Sequence, residues 1–172
     1  MADGALPDGF TFIPDAANAR AFRDALGSFA TGVTLVTIAG PEGPMGFVAN
    51  SFSSLSMDPP LVIWSPSKSA SRYPHFAVAQ HYTIHILAED QHDIIARFMR
   101  GGAGFDGLDH EINAEGVPVL TTAAARFDCV QHATHEGGDH LIVVGQVLRA
   151  SQRDVAGLVF KKGQYGGFSA KV

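Results

Sequence analysis

The sequence has few or none of the features that mark several protein classes. A single cysteine, Cys129, stands among 172 residues, so no internal disulfide can form, which is typical of proteins of the reducing cytoplasm. No apolar run is long enough to span a bilayer, and the start of the chain lacks the basic residues and apolar core of an export signal. Basic residues are not clustered and the net charge is −5, which argues against a phosphate-rich partner. These absences predict a cytoplasmic protein that binds neither membrane nor nucleic acid.

Several common site motifs are also missing. There is no G-x-G-x-x-G after a predicted strand and no Walker A sequence, and neither G-x-S-x-G nor H-E-x-x-H occurs. Among the eight histidines, His132 and His135 would point to opposite faces of a strand. His81 and His85 share a strand face but have no evident third ligand. We therefore expect no metal site, and we expect Cys129 to be a small buried apolar residue rather than a catalytic thiol.

The first third of the chain predicts one helix and then hairpin-linked strands. Asp15 is a candidate N-cap, and Phe22, Leu26 and Phe29 fall at helical spacing on one apolar face of a helix that Gly32 would end. Residues 33–40 and 45–52 read as two strands joined by the turn "PEGP". A third strand, "LVIWS", reads as buried on both faces.

The remaining chain continues the same pattern. It predicts a short helix interrupted by Pro74, a strand over 81–88, a helix with Ile94, Ile95 and Phe98 on one side, and a long glycine-rich loop. A long hairpin turning at residues 136–138 and one final strand follow. Six or seven strands without regular β-α-β alternation disfavour a Rossmann sheet. The sequence predicts a mainly β protein, a small antiparallel barrel with flanking helices, forming one domain over 1–172 with an N-terminal extension over 1–15.

The stretch "GFVANSFSSLSMDPPLVIW", residues 46–64, is unusually rich in small polar side chains. One interpretation is a serine-rich edge strand that runs into a loop. The other is a binding segment, because short hydroxyls and backbone N–H groups on a turn can hold a phosphate. Lys68, Ser69 and Ser71, just beyond the next strand, would add charge and hydroxyls to the same anion. Asn50 can both donate and accept hydrogen bonds, which suits a heterocycle such as flavin.

The tetrapeptide "GGDH", residues 137–140, predicts a tight turn followed by a strand. Taken alone, it is consistent with a hairpin turn carrying a surface histidine. His140 would nevertheless stand at a strand end, where it is well placed to contact a ligand over a barrel mouth.

Four blocks in order, "FRDALGSFATGVTLVT", "GFVANSFSSLSMDPPLVIWS", "GDHLIVVGQV" and "LVFKKGQYGGF", resemble the flavin reductase-like family with the FMN-binding split barrel. The resemblance covers residues 22–168. It is greatest to the reductase components of two-component flavin monooxygenases. It implies an antiparallel, Greek-key-like split β-barrel and an NAD(P)H-dependent flavin reductase.

The resemblance also implies which residues border the flavin ring. The family's Thr-Ala-Asn, which lines the isoalloxazine, corresponds to Val48, Ala49 and Asn50, and Phe98 and Tyr165 fall at positions able to border the ring. Valine replaces the usual threonine at Val48 and removes one hydroxyl, at a cost of about 1 kcal/mol. Main-chain hydrogen bonds survive that change, so flavin binding should persist.

The resemblance assigns two further segments to the flavin tail and one histidine to the nicotinamide. In relatives a Ser-x-Ser and the loop after the third strand approach the flavin tail. These segments correspond to Ser54, Leu55, Ser56, Lys68, Ser69, Ala70 and Ser71. The histidine that sits near the nicotinamide in relatives corresponds to His140, which we expect to position the nicotinamide.

The implied chemistry is hydride transfer from NADH or NADPH to FMN, with FAD as the alternative flavin. The resemblance further implies a homodimer with the flavin near the subunit interface, and a separate oxygenase that receives reduced flavin. Two alternatives remain open at this point. One is a pyridoxamine-phosphate-oxidase-like enzyme on the same barrel, and the other is a flavin-binding module without turnover.

Overall fold

The chain is built mainly of β-strands, as the hairpin signals predict. The computed structural model describes residues 9–99 and 101–170; residues 1–8 of the predicted N-terminal extension lie outside them. Within the described residues the strands are β1 Thr31–Gly32, β2 Thr34–Gly40, β3 Gly43–Ala49, β4 Ser53–Met57, β5 Pro60–Trp64, β6 His81–Ile86, β7 Glu111–Ile112, β8 Pro118–Val119, β9 Ala125–Gly137, β10 His140–Gln152, β11 Val159–Lys161 and β12 Gln164–Gly166. The helices are α1 Ala19–Leu26, α2 Tyr73–Ala77 and α3 His92–Phe98, and a 3-10 turn, Ala16–Asn18, precedes α1.

Seven antiparallel strands form the main sheet, in the order β3-β2-β6-β9-β10-β5-β4. The two edge strands, β3 and β4, are consecutive in the chain and are joined by residues 50–52 alone. In a flat sheet, six interstrand spacings of about 4.8 Å would separate the edges by about 29 Å, whereas so short a link spans at most about 14 Å. The sheet must therefore curl until its edges approach each other, which makes the fold barrel-like with a split beside the link.

The strand register shows that the curled sheet is also strongly staggered. Following paired residues from Ala49 across β2, β6 and β9 leads to Gln152 on β10. Following them from Ser53 across β5 leads to Val144, eight positions away on the same strand. Such a stagger is the shear that a closed barrel of tilted strands requires.

The core lies on both sides of β2. Val36 and Ile38 pack into the barrel interior with Trp64, Phe76 and other apolar residues. Leu35 faces the opposite way, into a second cluster that contains Phe98 of α3. Helix α3 thus covers the outside of the barrel next to β2 and β3. The predicted inward side of this helix, Ile94, Ile95 and Phe98, is confirmed because all three are buried.

Two smaller sheets complete the described part. Strands β1, β11 and β12 form a three-stranded antiparallel sheet, and β7 pairs with β8. The sequence predicts one final strand where the structure has the hairpin β11–β12, because Lys162, at a φ of 48°, and Gly163, at 79°, reverse the chain. No helix in the described residues has both the length and the apolar character needed to span a membrane.

Helix α1 differs from its prediction in length and in what it buries. Asp15 does cap the preceding turn, since its Oδ1 accepts a hydrogen bond of 3.0 Å from the Asn18 N–H. The helix ends at Leu26, however, and not near Gly32, because Gly27 already serves as its C-cap. The predicted apolar face is exposed rather than buried, and Ala21 is the buried residue of α1.

Strand β5 and the long hairpin also depart from expectation. The strand was expected to be buried on both faces, but Val62 and Trp64 are buried while Leu61 and Ile63 are half-buried. Its neighbour β4 is an edge strand that leaves one side open. The sequence predicts that the long hairpin turns at residues 136–138. The turn lies at residues 138–139 instead, because β9 continues to Gly137 and β10 begins at His140.

Candidate functional site

The link between the two edge strands carries the polar residues that the sequence singled out. Val48 and Ala49 end β3, and Asn50 opens the link. The Thr34 hydroxyl donates a 2.7 Å hydrogen bond to the Ala49 carbonyl and thus fixes the end of β3 against β2. Asn50 is exposed, so its amide is free to meet a ligand at the barrel split.

Two cavities adjoin at Asn50. The smaller, of about 160 Å³, is lined by Val33, Val48, Ala49, Asn50, Phe160 and Tyr165. The larger, of about 730 Å³, has the size of a small-molecule site and is lined by Arg23, Asp24, Leu26, Gly27, Phe29, Thr31, Asn50, Phe160, Lys162 and Gly163. The structure therefore brings four predicted residues, Val48, Ala49, Asn50 and Tyr165, to one place, although Tyr165 is more than a hundred positions away in sequence.

Aromatic rings form one wall of the smaller cavity. The Phe160 and Tyr165 ring centroids lie 5.0 Å apart, and the Tyr165 ring meets His92 edge-on at 4.9 Å. Tyr165 keeps 38% of its surface exposed, so it presents a free face. A planar ring can stack on such a surface. The sequence analysis does not include Phe160, although this residue lies within the "LVFKKGQYGGF" block, on the strand that precedes the Lys162–Gly163 turn.

The larger cavity contains an unpaired hydroxyl. Thr31 Oγ1 is buried and has no hydrogen-bond partner, which is unfavourable unless a ligand or water supplies one. The exposed Asn50 amide and the aromatic wall suit a flat heterocycle with a polar edge. The residues present therefore fit an isoalloxazine ring. The sequence analysis does not name Thr31 as a site residue. Its position three residues before the start of β2 could have indicated that it lies near the end of that strand.

The Ser-x-Ser segment lies on edge strand β4. Ser54 pairs with Val62 and Ser56 with Leu61, which leaves Leu55 as the extra residue of a β-bulge. A bulge takes backbone groups out of the ladder, and Leu55 is exposed. The segment thus offers hydroxyls and free backbone groups, as an anion site needs, on the strand that follows the link. The edge-strand interpretation of the sequence is also correct for these residues.

Ser51 ties the link to the loop after β5. Its hydroxyl accepts a 2.9 Å hydrogen bond from the Ser65 N–H and lies 3.2 Å from the Ser65 carbonyl. These bonds join the link to the segment that leads into Ser69, Ala70 and Ser71, although none of these three residues lines either of the two cavities. The Ser69 hydroxyl lies 2.9 Å from that of Ser67.

Lys68 forms hydrogen bonds within the protein, although the sequence predicts that its charge helps to bind an anion. Its Nζ donates to Glu136 and, at 2.8 Å, to the Gly138 carbonyl, and its main-chain N–H donates to the Asp139 carbonyl at 2.9 Å. The hydrogen bond to Glu136 is the main cause that raises the pKa of Lys68. Lys68 therefore fastens the β5–α2 loop to the turn before β10, which sequence spacing does not reveal.

His140 begins β10 at this same junction. It forms an isolated antiparallel bridge with Ser67, and its Nδ1 lies 2.7 Å from Asp139 Oδ1. The hydrogen bond from His140 is the first cause that lowers the pKa of Asp139. The ionised Asp139 carboxylate accepts a hydrogen bond from the Nδ1–H of His140, which orients the ring and leaves Nε2 on its outer side. The turn thus presents a half-buried imidazole whose orientation is fixed by Asp139.

Phe98 does not line the site. Its ring is fully buried and meets Phe105 edge-on at 5.0 Å, behind Gly46 of β3. The prediction that it borders a ligand is wrong for this conformation, because the helical side that carries it packs into the second core cluster. Its place under Gly46 makes it a support of β3 instead.

The histidines form no metal site within the described ranges 9–99 and 101–170, where no cluster of three or more candidate ligands occurs. His81 is exposed, whereas His85 is fully buried and both of its ring nitrogens are engaged by backbone groups. Cys129 is buried, and burial raises the pKa of its thiol to about 12. It is thus the inert apolar residue that the sequence predicts.

Comparison with known proteins agrees with this geometry. The model of the flavin reductase like domain matches residues 26–169. The chain is 54% identical to the FMN reductase (NADH) SmoA of Agrobacterium fabrum over 164 residues, which cover 95% of this chain and 94% of that protein. It is 37% identical to the reductase subunit HsaB of a flavin-dependent monooxygenase from Rhodococcus jostii, over 89% of this chain and 80% of that subunit.

Solved structures give the same result. Nitrilotriacetate monooxygenase component B from Mycobacterium thermoresistibile matches with a TM-score of 0.84 and 37% identity, over 90% of this chain and 88% of that chain. The NADH:FAD oxidoreductase SgcE6 of Streptomyces globisporus, in complex with NAD and FAD fragments, matches with a TM-score of 0.84 and 31% identity, over 92% and 98% of the two chains. The resemblance inferred from four sequence blocks is confirmed: the chain belongs to the flavin reductase like domain family.

Proposed function

We propose that this chain is an NADH-dependent flavin reductase that supplies reduced flavin to a separate oxygenase. The observation that carries the proposal is the pair of adjoining cavities at the barrel split, where the Asn50 amide and the Tyr165 ring meet the end of β3. The relatives support it, since SmoA is named an NADH-dependent FMN reductase and HsaB a monooxygenase reductase subunit. FMN is the flavin we propose, with FAD as the alternative that the SgcE6 name supports.

In this proposal the chain holds the flavin by small and neutral groups. Asn50 and the main chain of Val48 and Ala49 bind the polar edge of the ring, and Tyr165 covers one of its faces. Ser54, Leu55 and Ser56 on β4, and Ser69, Ala70 and Ser71 in the next loop, approach the tail. Bound flavin supplies the hydride acceptor, so the protein needs no strong acid or base and contributes alignment.

His140 would orient the nicotinamide of the second cofactor. Its Nδ1–H is bonded to Asp139, so Nε2 is the ring atom left for the nicotinamide carboxamide, which carries both a donor and an acceptor. The bonds from Lys68 to the preceding turn hold the imidazole in place. This role makes His140 a residue that contacts substrate without transferring the hydride.

The reductase and the binding module without turnover differ in one experiment. Flavin-loaded protein is mixed with NADH under anaerobic conditions, and the visible flavin absorbance is followed. Bleaching supports the reductase, and stable absorbance after NADH addition would favour the module. Steady-state assays that pair FMN or FAD with NADH or NADPH then rank the cofactors. A pyridoxamine-phosphate-oxidase-like enzyme would instead oxidise pyridoxamine phosphate, which a direct assay detects.

Replacing His140 by alanine should slow hydride transfer about 10- to 100-fold, because misplacement of the nicotinamide by about 1 Å costs a factor of that order. The dissociation constant of FMN should stay within about twofold. Stopped-flow reduction measures the rate, and fluorescence titration measures the affinity. His135→Ala is the matched control, since His135 is an exposed histidine on the neighbouring strand, opposite Ile142. Unchanged reduction kinetics in His140→Ala would contradict the positioning role.

The protein is also proposed to be a homodimer that covers the apolar face of α1. Phe22 and Leu26 on α1 are 45% and 59% exposed, and Phe29, three residues beyond the end of the helix, is 77% exposed. Leu26 and Phe29 also line the larger cavity, so a second copy seated on this face would stand over the flavin site. This arrangement supports the expectation of a flavin near the subunit interface.

Light scattering tests the dimer directly. The wild-type protein should have twice the 18.2 kDa mass of one chain, and Phe29→Glu should shift it to the monomer because a carboxylate in an apolar interface is unfavourable. Val78→Glu, which alters an exposed apolar residue outside α1, should leave the mass unchanged. A monomeric wild-type protein, or a Phe29→Glu variant that stays dimeric, would disprove the proposed interface.

The cytoplasm is the proposed site of action. A lone, buried cysteine suits a reducing compartment, and NADH is generated there. The oxygenase partner is supported by relatives named as reductase subunits or components of monooxygenases. Co-purification of an oxygenase is not required, because reduced flavin can diffuse between two proteins.

A further inference from the structure

Arg72, on the loop after β5, is a further cation that the sequence analysis does not single out. It directly follows Ser71 and precedes α2, Tyr73–Ala77. Its guanidinium carbon lies 4.3 Å from the centroid of the Phe47 ring, and Phe47 immediately precedes Val48 of the flavin-binding strand end. Arg72 therefore connects the loop on the proposed phosphate side to the strand on the proposed ring side.

The guanidinium of Arg72 has no anionic partner among the described residues. Its Nε is buried and without a hydrogen bond, and no ion pair involves it, whereas Lys68 is paired with Glu136, and Arg126 and Arg149 with Asp128. Burial lowers the pKa of Arg72. A half-buried charge without a counter-ion is unfavourable, and contact with the Phe47 ring offsets only part of that cost.

The position of Arg72 is set by a close backbone approach. A Cβ at Gly102 would lie 3.0 Å from Arg72 Cδ and 2.8 Å from the Gly46 carbonyl oxygen, and the Gly46 N–H donates to the Gly102 carbonyl at 2.9 Å. The glycine also has a φ of 82°, which disfavours any other residue. The arginine stem is thus held between the glycine-rich loop and β3 before any ligand arrives, and this reduces the entropy lost on binding.

We propose that Arg72 binds the phosphate of the flavin tail. This inference rests on the proposed flavin reductase function and names a charge for the tail on the loop after β5, where Lys68 is bound to Glu136 and to the turn before β10. A guanidinium can donate two parallel hydrogen bonds to a phosphate. The hydroxyls of Ser69 and Ser71, on the same loop, would complete the anion site. Phosphate would then supply the counter-ion that the guanidinium lacks among the described residues.

The test compares FMN with riboflavin, which differ by the phosphate alone. Dissociation constants are measured by fluorescence quenching for the wild type, Arg72→Met and Arg72→Lys. Methionine keeps an apolar stem on Phe47 and removes the charge. FMN affinity should fall about 10- to 100-fold in Arg72→Met, the effect of one charge-assisted hydrogen-bond pair, while riboflavin affinity stays within about twofold. Arg72→Lys should recover part of the FMN affinity, since lysine binds phosphate as a point charge.

Two further variants serve as controls. Arg97→Met removes an exposed positive charge bound to the Asp106 carbonyl and should leave both affinities unchanged. Lys68→Met should weaken FMN and riboflavin by the same small factor. Thermal melting of each ligand-free variant confirms that it is folded.

The outcomes separate this inference from the proposed function. If the wild type binds neither FMN nor riboflavin, the proposed function fails and Arg72 loses its ligand with it. If the wild type binds FMN and Arg72→Met binds it within threefold, the Arg72 assignment alone is overturned. The assignment is also overturned if Arg72→Met loses affinity for FMN and riboflavin equally, or if Arg72→Lys recovers no FMN affinity. The same holds if Lys68→Met loses FMN affinity but not riboflavin affinity, or if Arg72→Met raises only the KM for NADH. That last result would assign Arg72 to the phosphates of the dinucleotide.

Discussion

Replacing Gly46 by alanine should lower the free energy of unfolding by about 2 to 3 kcal/mol, the usual effect of forcing extra volume into a packed core. A Cβ at this position would lie 2.6 Å from Phe98 Cε1, and closer still to Cδ1, and 3.0 Å from Leu35 Cδ1. Neither side chain can move away freely, because both are fully buried and the Phe98 ring is held edge-on by Phe105.

The effect should extend from the core to the flavin site. Gly46 lies two residues before Val48 on β3, and its N–H holds the glycine-rich loop through Gly102. Pushing β3 away from α3 would displace the strand end that leads to Asn50. We therefore expect FMN affinity to decrease along with stability in the Gly46→Ala variant.

Urea unfolding and thermal melting measure the change, and about 2 to 3 kcal/mol corresponds to a melting temperature lower by about 5 to 10 °C. Gly32→Ala is the matched control, because a Cβ at Gly32 meets nothing within 4 Å and its φ is not positive; its stability should stay within about 0.5 kcal/mol. The double variant Gly46→Ala/Phe98→Leu should be more stable than the sum of the single changes predicts. Simple additivity would show that the ring does not cause the destabilisation.

Lowering the pH from about 7 to 4 should remove about 3 kcal/mol of stability through His85 alone. This histidine is fully buried. Its Nε2 accepts a 3.0 Å hydrogen bond from the Leu120 N–H, and its Nδ1 lies 2.9 Å from the Leu35 carbonyl. The ring is therefore neutral, with its proton on Nδ1. Burial is the main cause that lowers the pKa of His85, from 6.5 to about 4, and the bond to the Leu35 carbonyl opposes it.

The direction of this effect follows from the two pKa values. In the unfolded chain His85 binds a proton near pH 6.5, whereas in the folded protein it does so near pH 4. Stability is therefore complete above about pH 6.5 and decreases as the pH falls, by up to about 1.4 kcal/mol per pH unit. Below about pH 4 both states are protonated, and His85 causes no further loss.

Urea unfolding at several pH values between 7.5 and 4 tests the prediction. Carboxylates also titrate in this range, so the informative quantity is the difference between the wild type and His85→Gln. That variant should be less stable by about 1 to 3 kcal/mol at pH 7.5, because one buried backbone group loses its partner, and the difference should shrink toward pH 4. His81→Gln, on the exposed part of the same strand, should follow the wild-type curve. A difference for His85→Gln that is constant with pH would contradict the assigned titration.

Local signals predicted much of the fold. Asp15 caps its turn, residues 34–49 form the expected hairpin, and the apolar side of α3 is buried. These features depend on residues a few positions apart, where spacing and propensity are informative. The exposed face of α1 has the same periodicity as a buried face, and periodicity does not report what covers it.

The site was predicted in part, for a related reason. The four sequence blocks led to Val48, Ala49, Asn50 and Tyr165, which the structure gathers around adjoining cavities. The same reasoning includes Lys68 among the residues that approach the flavin phosphate, because it lies with Ser69 and Ser71 just beyond the next strand. Its carboxylate partner, Glu136, is 68 positions away, and no local pattern contains that information.

Short segments of the sequence are enough to predict the β-rich chain, the polar link between two consecutive strands and the family to which the chain belongs. These properties reside in short segments whose residues interact with their neighbours in the chain. Only the folded chain shows that the link lies at the split of a staggered barrel and that Phe98 supports β3 from the core. It also shows that Lys68 is paired with Glu136, whereas Arg72 has no ion pair among the described residues. Burial and charge pairing depend on which distant segments meet, so they are properties of the folded chain.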